Sequence, residues 1–597
     1  MTETIISMEL PAGGHLAIRR NRIRPEGEER NLSRISLVSG IHGDELEGQY
    51  ICYETARRVK EHPEYLKGIV DIYPALNPLG IDMASRTVPR LDMDMNRMFP
   101  GDASGDMMER ITATVVDSLI GSDICIDLHA SDIFVREIPQ VRLSEDFAEA
   151  LLPYAKMTNA DMIWMNATAT VHESTLAHSM NLLGVPTLVL EMGQGHDIHR
   201  SFGNQIVDGI FHIMSEMGIW TGPEPKVQEP AISSDGEVEF IRSKSDGVFL
   251  PLIEHNHYVK KGDLIGEVVD PFEGTVKQQI RTAKGGLLFT LRAYPVVYEG
   301  EDMRIRGFQF GKGEKSACIV GAARGNEIQQ MYICSQLVKA LRELENNGCI
   351  SAGKQILVIP TINAYSVNIS RRFFGVKEAD INRSFPGNDY GEPADRLTNA
   401  LLTEIRDYVY GIQFTSFYRP GEFVPHVRMM ETGYQNTSLA NLFGLPYVVV
   451  RKPVPIDTKT LNYNWQDEMT AAFSVYTNQN TQIDEVSARQ AVAAVLRFLK
   501  RMGLIRYESH SGYISHVIYE KDLSDVPANR AGIFRGKVHA GDDVRYGNEM
   551  AEIIDPYDGT VREKILAPTD GIVFFAHTEA LICEKDIAYR LIHRLHE

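Results

Sequence analysis

The sequence predicts an α/β protein built in two tandem copies, each closed by a small all-β domain. Three observations carry this. The segments GEVVDPFEGTVKQQIRTAKGGLLF (266–289) and AEIIDPYDGTVREKILAPTDGIVFF (551–575) read alike, with Asp270 and Asp555 285 residues apart. A period of that length marks a domain duplication, not a solenoid. Ahead of each segment, short apolar runs alternate with amphipathic stretches, the pattern of a largely parallel sheet with helices on both faces. The segments themselves are rich in Gly, Asp and Val, with turn dipeptides (DG, KG, EG) about every eight to twelve residues, the pattern of a small sandwich.

The first copy supplies strands at 35–39, 68–73 (GIVDIY), 123–128 (DICIDL) and 185–191 (GVPTLVLE). Helices fall at 46–60 (LEGQYICYETARRVK) and 107–120 (MMERITATVVDSLI). The second copy repeats the order. ALNPLGIDMASR…MDMNRMFPG (75–101) becomes TINAYSVNISRR…EADINRSFPG (361–387). Asn77 then pairs with Asn363, Arg86 with Arg372, Asn96 with Asn382 and Arg97 with Arg383, each 286 residues on. LVSGIHGDELEGQY becomes CIVGAARGNEIQQMY. The implied division is 1–228 α/β, 229–308 β, 309–510 α/β and 511–597 β.

Composition excludes several classes. The chain's 597 residues exceed one compact core. A net charge of −19 argues against a nucleic-acid or anionic-membrane surface, and still allows an anionic small molecule in a local basic pocket. The six cysteines are scattered with no C-x-x-C, which argues against a disulfide scaffold and a thiolate zinc cluster. The N-terminus has no basic segment followed by an apolar core, and no run reaches the ~20 apolar residues of a membrane span. A cytoplasmic protein is expected.

Chemistry in open α/β sheets collects at the carboxyl ends of strands. His42 and Glu45 follow the first strand, His129 ends a later one, and Glu191 ends the strand before Met192-Gly193. Two imidazoles and a carboxylate form a common catalytic zinc set that leaves a position for water. Glu191 would then be the general base, with Asp127 orienting a ligand. HxxE is frequent at helix starts, and a lone histidine after a strand is usually a satisfied polar residue, so spacing leaves both readings open. Arg86, Arg90 and Arg97 share a loop punctuated by Gly and Pro, where an arginine fork suits a carboxylate or a carbonyl oxygen. Arg90 reads as a structural ion-pair residue. Gln194, His196 and His199, just past Glu191, read as solvated loop residues, with a place in the pocket lining as the alternative.

GIHGDE, NPLGxxxxxR…DMNRxFPG, DLH and LEMG, in this order, resemble the succinylglutamate desuccinylase/aspartoacylase family of the zinc carboxypeptidase clan. The resemblance implies a zinc-carboxypeptidase-like mixed sheet with helices on both faces. It implies that His42, Glu45 and His129 bind one zinc ion and that Glu191 is the catalytic base. It also implies that Arg86 stabilises the oxyanion, while Asn96 and Arg97 handle the substrate. The reaction implied is hydrolysis of the amide of a small N-acyl amino acid. The separation between Arg86 and the Asn96-Arg97 pair is longer than in the aspartoacylase branch, so the substrate stays open. A metallocarboxypeptidase and a non-catalytic binding protein are the alternatives.

The second copy lacks the apparatus. Arg324 stands where His42 does, 411–420 holds no histidine, and Tyr476 meets Glu191 at offset 285. Glu327, Arg372, Asn382 and Arg383 remain. The expected result is an inactive domain kept for packing, with an anion pocket and an intrachain pseudo-dimer as further readings; a homo-oligomer stays open. The β parts resemble lipoyl and biotinyl carriers but have no lysine at the hairpin tip, so they read as covers over the active-site entrance.

Overall fold

The computed structural model describes residues 1–27, 31–89, 91, 93–166, 174–271, 273–297, 305–369, 371–375, 379–389, 391, 393–417, 421–478 and 483–593. It divides into two compact units, Met1–Met8 with His15–Asp302, and Glu9–Gly14 with Met303–Glu597.

In the first unit the strands are β1 (Thr2–Glu9), β2 (His15–Ile23), β3 (Arg34–Ser39), β4 (Ile69–Tyr73), β5 (Ile124–Ala130), β6 (Val135–Ser144), β7 (Met162–Asn166), β8 (Thr187–Gly193) and β9 (Ala231–Ser234). They form one mixed sheet in the order β1-β2-β4-β3-β5-β8-β6-β7-β9. The central β4, β3, β5 and β8 run parallel, as near-continuous apolar runs such as Ile35–Val38 require, because both faces are covered. β6 then runs antiparallel to β8. Helices Glu47–Glu61 and Arg200–Glu216 bury Ile51, Val59, Ile206 and Ile210 in one core with Leu37, Ile126 and Leu190. Helix Met107–Leu119 starts at a capping box of Asp106 and Glu109.

The second unit repeats this order strand for strand. Its sheet runs Phe308–Gly311, Gly353–Thr361, Gly313–Ala322, Tyr410–Thr415, Ala471–Tyr476, His426–Met430, Tyr447–Arg451 and His516–Tyr519. This matches β2-β4-β3-β5-β8-β6-β7-β9, including the antiparallel contacts at corresponding places. Successive residues of the strand Gly313–Ala322 enter different cores. Ala317 and Ile319 pack with Leu337 and Val495, while Cys318 and Val320 pack with Leu401 and Trp465. The alternation of a strand therefore places helices on both faces.

Each unit also holds smaller antiparallel sheets, of four and two strands in the first and of five and four strands in the second. Strand Thr290–Arg292 pairs with Val135–Glu137 of β6 and so joins the first large sheet. Among the described residues, no helix is long and apolar enough to cross a membrane.

Candidate metal centre

The loop after β3 carries His42, Gly43 and Glu45. A Cβ on Gly43 would lie 1.9 Å from the carbonyl carbon of Gly80, so glycine alone lets the two loops touch. Gly43 N donates to Ser85 O at 3.0 Å. The facing loop is shaped by Asn77, whose Oδ1 accepts from Gly80 N (2.9 Å) and whose Nδ2 donates to Thr87 O (3.1 Å). The same loop presents Arg86.

His42, Glu45 and His129 converge, each with a ligand atom within 4.8 Å of the others, and all three are buried. Nδ1 of His42 lies 2.6 Å from Glu45 Oε1, and Nδ1 of His129 lies 2.8 Å from Glu45 Oε2. The far ring nitrogens each face another carboxylate: His42 Nε2 is 3.2 Å from Asp94 Oδ1, and His129 Nε2 is 3.1 Å from Asp127 Oδ2. The Asp127 oxygens are buried and make no hydrogen bond with protein among the described residues; the contact to His129 is ionic and not aligned. Ala130 N also donates to Glu45 Oε2. Burial alone would raise the Glu45 carboxyl, but His42 and His129 outweigh it and hold it well below the usual range. Burial would lower the His129 imidazole, but Asp127 and Glu45 outweigh it and push it well up. Three carboxylates around two imidazoles make a site for a cation, and a carboxylate stands behind each ring, as it does behind metal-ligating histidines. The donor set fits a divalent metal such as zinc.

Glu191 stands beside this cluster. It is in register with His129 across the parallel pair β5–β8, and with Gln140 across β8–β6, so the three side chains share a face. Burial pushes the Glu191 carboxyl up, opposed by Arg142. Arg142 Nη2 lies 3.1 Å from Glu191 Oε2 and 2.9 Å from Glu137 Oε2.

Arg86 reaches the cluster, 3.2 Å from Glu45 Oε1 and 3.4 Å from Asp94 Oδ2. Asn96 is buried, and its Oδ1 accepts from Leu176 N at 2.9 Å, so part of its capacity goes to holding the loop. Arg97 donates to Asn96 O at 2.9 Å and acts electrostatically on Asp94. Arg90 lies outside the described residues. His199 is not a solvated loop residue: its Nδ1 lies 2.6 Å from Glu47 Oε1, a carboxylate with no exposed surface. Gln194 Nε2 donates to Ile133 O, while His196 is exposed and within 3.2 Å of Ala84 O. Asp94, Glu137 and Arg142 were missed from sequence; for Asp94 the available signal was its recurrence as Asp380 in the repeated D-x-N-R.

In the second unit the same register exposes the replacements. Tyr476 pairs with Thr415 as Glu191 pairs with His129, and Gln413 stands at the position of Asp127. Arg324 fills the centre. Its guanidinium binds Asp380 through Nε (3.0 Å) and Nη2 (2.7 Å) and approaches Glu327 and Ser416 through Nη1 at 3.4 Å. Glu327 Oε2 accepts from Ala323 N and Arg324 N. A fixed cation thus occupies the place between the two carboxylates, and Thr415 offers no imidazole. Phe417 stacks on Phe423 and leans on Tyr476.

Known proteins match parts of the chain. The model of the succinylglutamate desuccinylase/aspartoacylase catalytic domain matches residues 31–217 and 314–414. N-alpha-acetyl-L-2,4-diaminobutyric acid deacetylase of Halomonas elongata is 26% identical over 285 residues, covering 45% of this chain and 80% of that protein. A succinylglutamate desuccinylase structure from Silicibacter sp. is 20% identical with a TM-score of 0.44, covering 50% of this chain and 92% of that one. The product-bound ectoine utilization protein EutE (DoeB) from Ruegeria pomeroyi is 22% identical with a TM-score of 0.43, covering 50% and 92%. Both halves of the chain thus carry a match to the catalytic domain of the succinylglutamate desuccinylase/aspartoacylase family.

Proposed function

We propose that the chain is a zinc-dependent hydrolase that cleaves the amide of a small, carboxylate-bearing N-acyl amino acid, with one zinc ion per chain, in the first unit. The observation that carries this reading is the convergence of His42, Glu45 and His129 with Glu191 in register beside them. The curated relative acts on an N-acetylated amino acid, which supports the substrate class.

In this reading His42, Glu45 and His129 hold the metal. Bound zinc supplies Lewis acidity that brings a water pKa to about 7 and polarises a carbonyl. Glu191 takes the proton of the attacking water and returns it to the leaving nitrogen, so that the C–N bond breaks as a neutral amine departs. Arg86 faces the developing oxyanion. Asn96 shapes the loop and, with Arg97, meets the substrate's polar end. Residues 1–228 form the catalytic domain, 309–510 an inactive counterpart, and 229–308 and 511–597 the β domains.

The test measures metal content and hydrolysis of N-acyl amino acids in wild type and Glu191→Gln. The expected result is about one zinc in both and a turnover lower by about 10²–10⁴-fold in the variant. Unchanged turnover overturns the assignment of Glu191 as base.

A further inference from the structure

We propose that Arg142 is a positioning residue for Glu191, held in turn by Glu137 and by Thr290 of the β domain, so that the β domain helps to aim the base. The proposal rests on the reading of Glu191 as base given above.

The chain of contacts is continuous. Thr290 Oγ1 donates to Glu137 Oε1 at 3.1 Å. Glu137 Oε2 accepts from Arg142 Nη2 at 2.9 Å, and the same Nη2 lies 3.1 Å from Glu191 Oε2. Backbone register fixes the geometry. Thr290 is opposite Glu137 in the added strand pair, and Ile138 N donates to Phe289 O at 3.1 Å. A register shift between Glu137 and Gln140 on β6 lets Glu137 oppose Gly193 while Gln140 opposes Glu191. An extra residue of this kind re-aims side chains beside active sites. The guanidinium also lies over the Trp164 ring, 5.5 Å from its centre, and that ring meets Phe289 edge-on at 5.6 Å. The arginine is thereby packed from one side and bonded from the other.

The second unit gives an independent observation. Arg428 is opposite Ser474 as Arg142 is opposite Val189, two residues before the Tyr476 and Glu191 positions. Its Nη1 lies 3.1 Å from the hydroxyl of Tyr476. The arginine still grips the side chain at the base position although that side chain is no longer a carboxylate. Glu137 has been exchanged as well: Arg428 Nη2 bonds both oxygens of Glu520 at 3.1 Å. The device common to both units is an acid–arginine pair reaching the residue at the end of the eighth-strand position.

A base displaced by about 1 Å loses about 100-fold in rate even when the protein remains folded. The experiment compares Arg142→Met, Arg142→Lys and Thr290→Val with wild type in the zinc-loaded full chain, reading kcat and KM separately, with zinc content alongside. The expected result is a kcat lower by about 100-fold in Arg142→Met, partial recovery in Arg142→Lys, a smaller loss in Thr290→Val, and KM and zinc content unchanged. A raised KM at full kcat overturns the proposal and makes Arg142 a substrate contact. A second readout needs no turnover. Melting midpoints of the first unit's transition are measured in the metal-free full chain for Arg142→Met, Glu191→Gln and the double variant. Non-additive shifts are expected, and additive shifts overturn the clamp. If wild type hydrolyses no N-acyl amino acid, the proposed function fails, while this cycle still decides whether Arg142 holds Glu191.

Discussion

Replacing Arg324 by methionine should unfold the second unit at a much lower temperature. Arg324, Glu327 and Asp380 side chains are only 4%, 0% and 10% exposed, so solvent does little to screen them. Methionine keeps the stem's volume and removes the charge, leaving two carboxylates facing each other in the interior. Removing one partner of a buried pair costs about 3–5 kcal/mol. At about 2–4 °C per kcal/mol, the midpoint of the second unit drops by roughly 6–20 °C. Calorimetry of the full chain with and without zinc is the assay; the transition that moves with zinc belongs to the first unit, and the other is followed. The pH dependence has a definite sign. Burial would raise the Asp380 carboxyl, but Arg324 outweighs it and holds it below the usual range. Its contribution is therefore complete above the unfolded value near pH 3.9 and is lost as pH falls through the lower folded value, so wild type and Arg324→Met converge only in strong acid. A midpoint within about 2 °C of wild type near neutral pH would refute the view that Arg324 serves as a built-in cation.

Other outcomes follow from the same geometry. Glu45→Gln should abolish zinc retention measured by elemental analysis, because Glu45 meets both imidazoles, and should remove the zinc-dependent rise of the first transition; retained zinc counts against the ligand set. Arg324→His should not give a second zinc equivalent, since Thr415 and Tyr476 still stand at the positions of His129 and Glu191. His426 is buried, donates Nδ1–H to Val424 O at 2.8 Å, and burial pushes its imidazole down to about 3. The unfolded chain thus binds the extra proton, and the second unit should lose about 1.4 kcal/mol of stability per pH unit from about pH 6.5 downward. His426→Gln, which installs the residue found at the matching position 140, should flatten that slope in denaturant titrations at pH 6 and pH 4.

Much of this site was legible because its groups sit in short motifs. Glu45 follows His42 by three residues, and His129 and Glu191 end apolar runs, so type and local position point together. The strands run slightly past both residues, to Ala130 and Gly193. Asp94 was harder to see: it is 52 residues from His42 in sequence, and only the folded loop brings its carboxylate to the ring. His199 was misjudged because a polar residue after a strand looks solvated until Glu47 is found beside it. Arg142 carries no local signal, since an arginine on an amphipathic strand is ordinary.

The sequence by itself determined the repeat, the α/β class and the residue types of the His-Glu-His cluster, because repeats and apolar periodicity are written in neighbouring residues. The tertiary structure decided which groups stand behind them: Asp94 behind His42, Arg142 against Glu191, a β-domain strand against β6, and Arg324 between Asp380 and Glu327. Those pairings depend on strand register and on the closure of long loops. A one-residue slip would turn every side chain of a strand to the other face, and no local pattern records which distant strand is the partner.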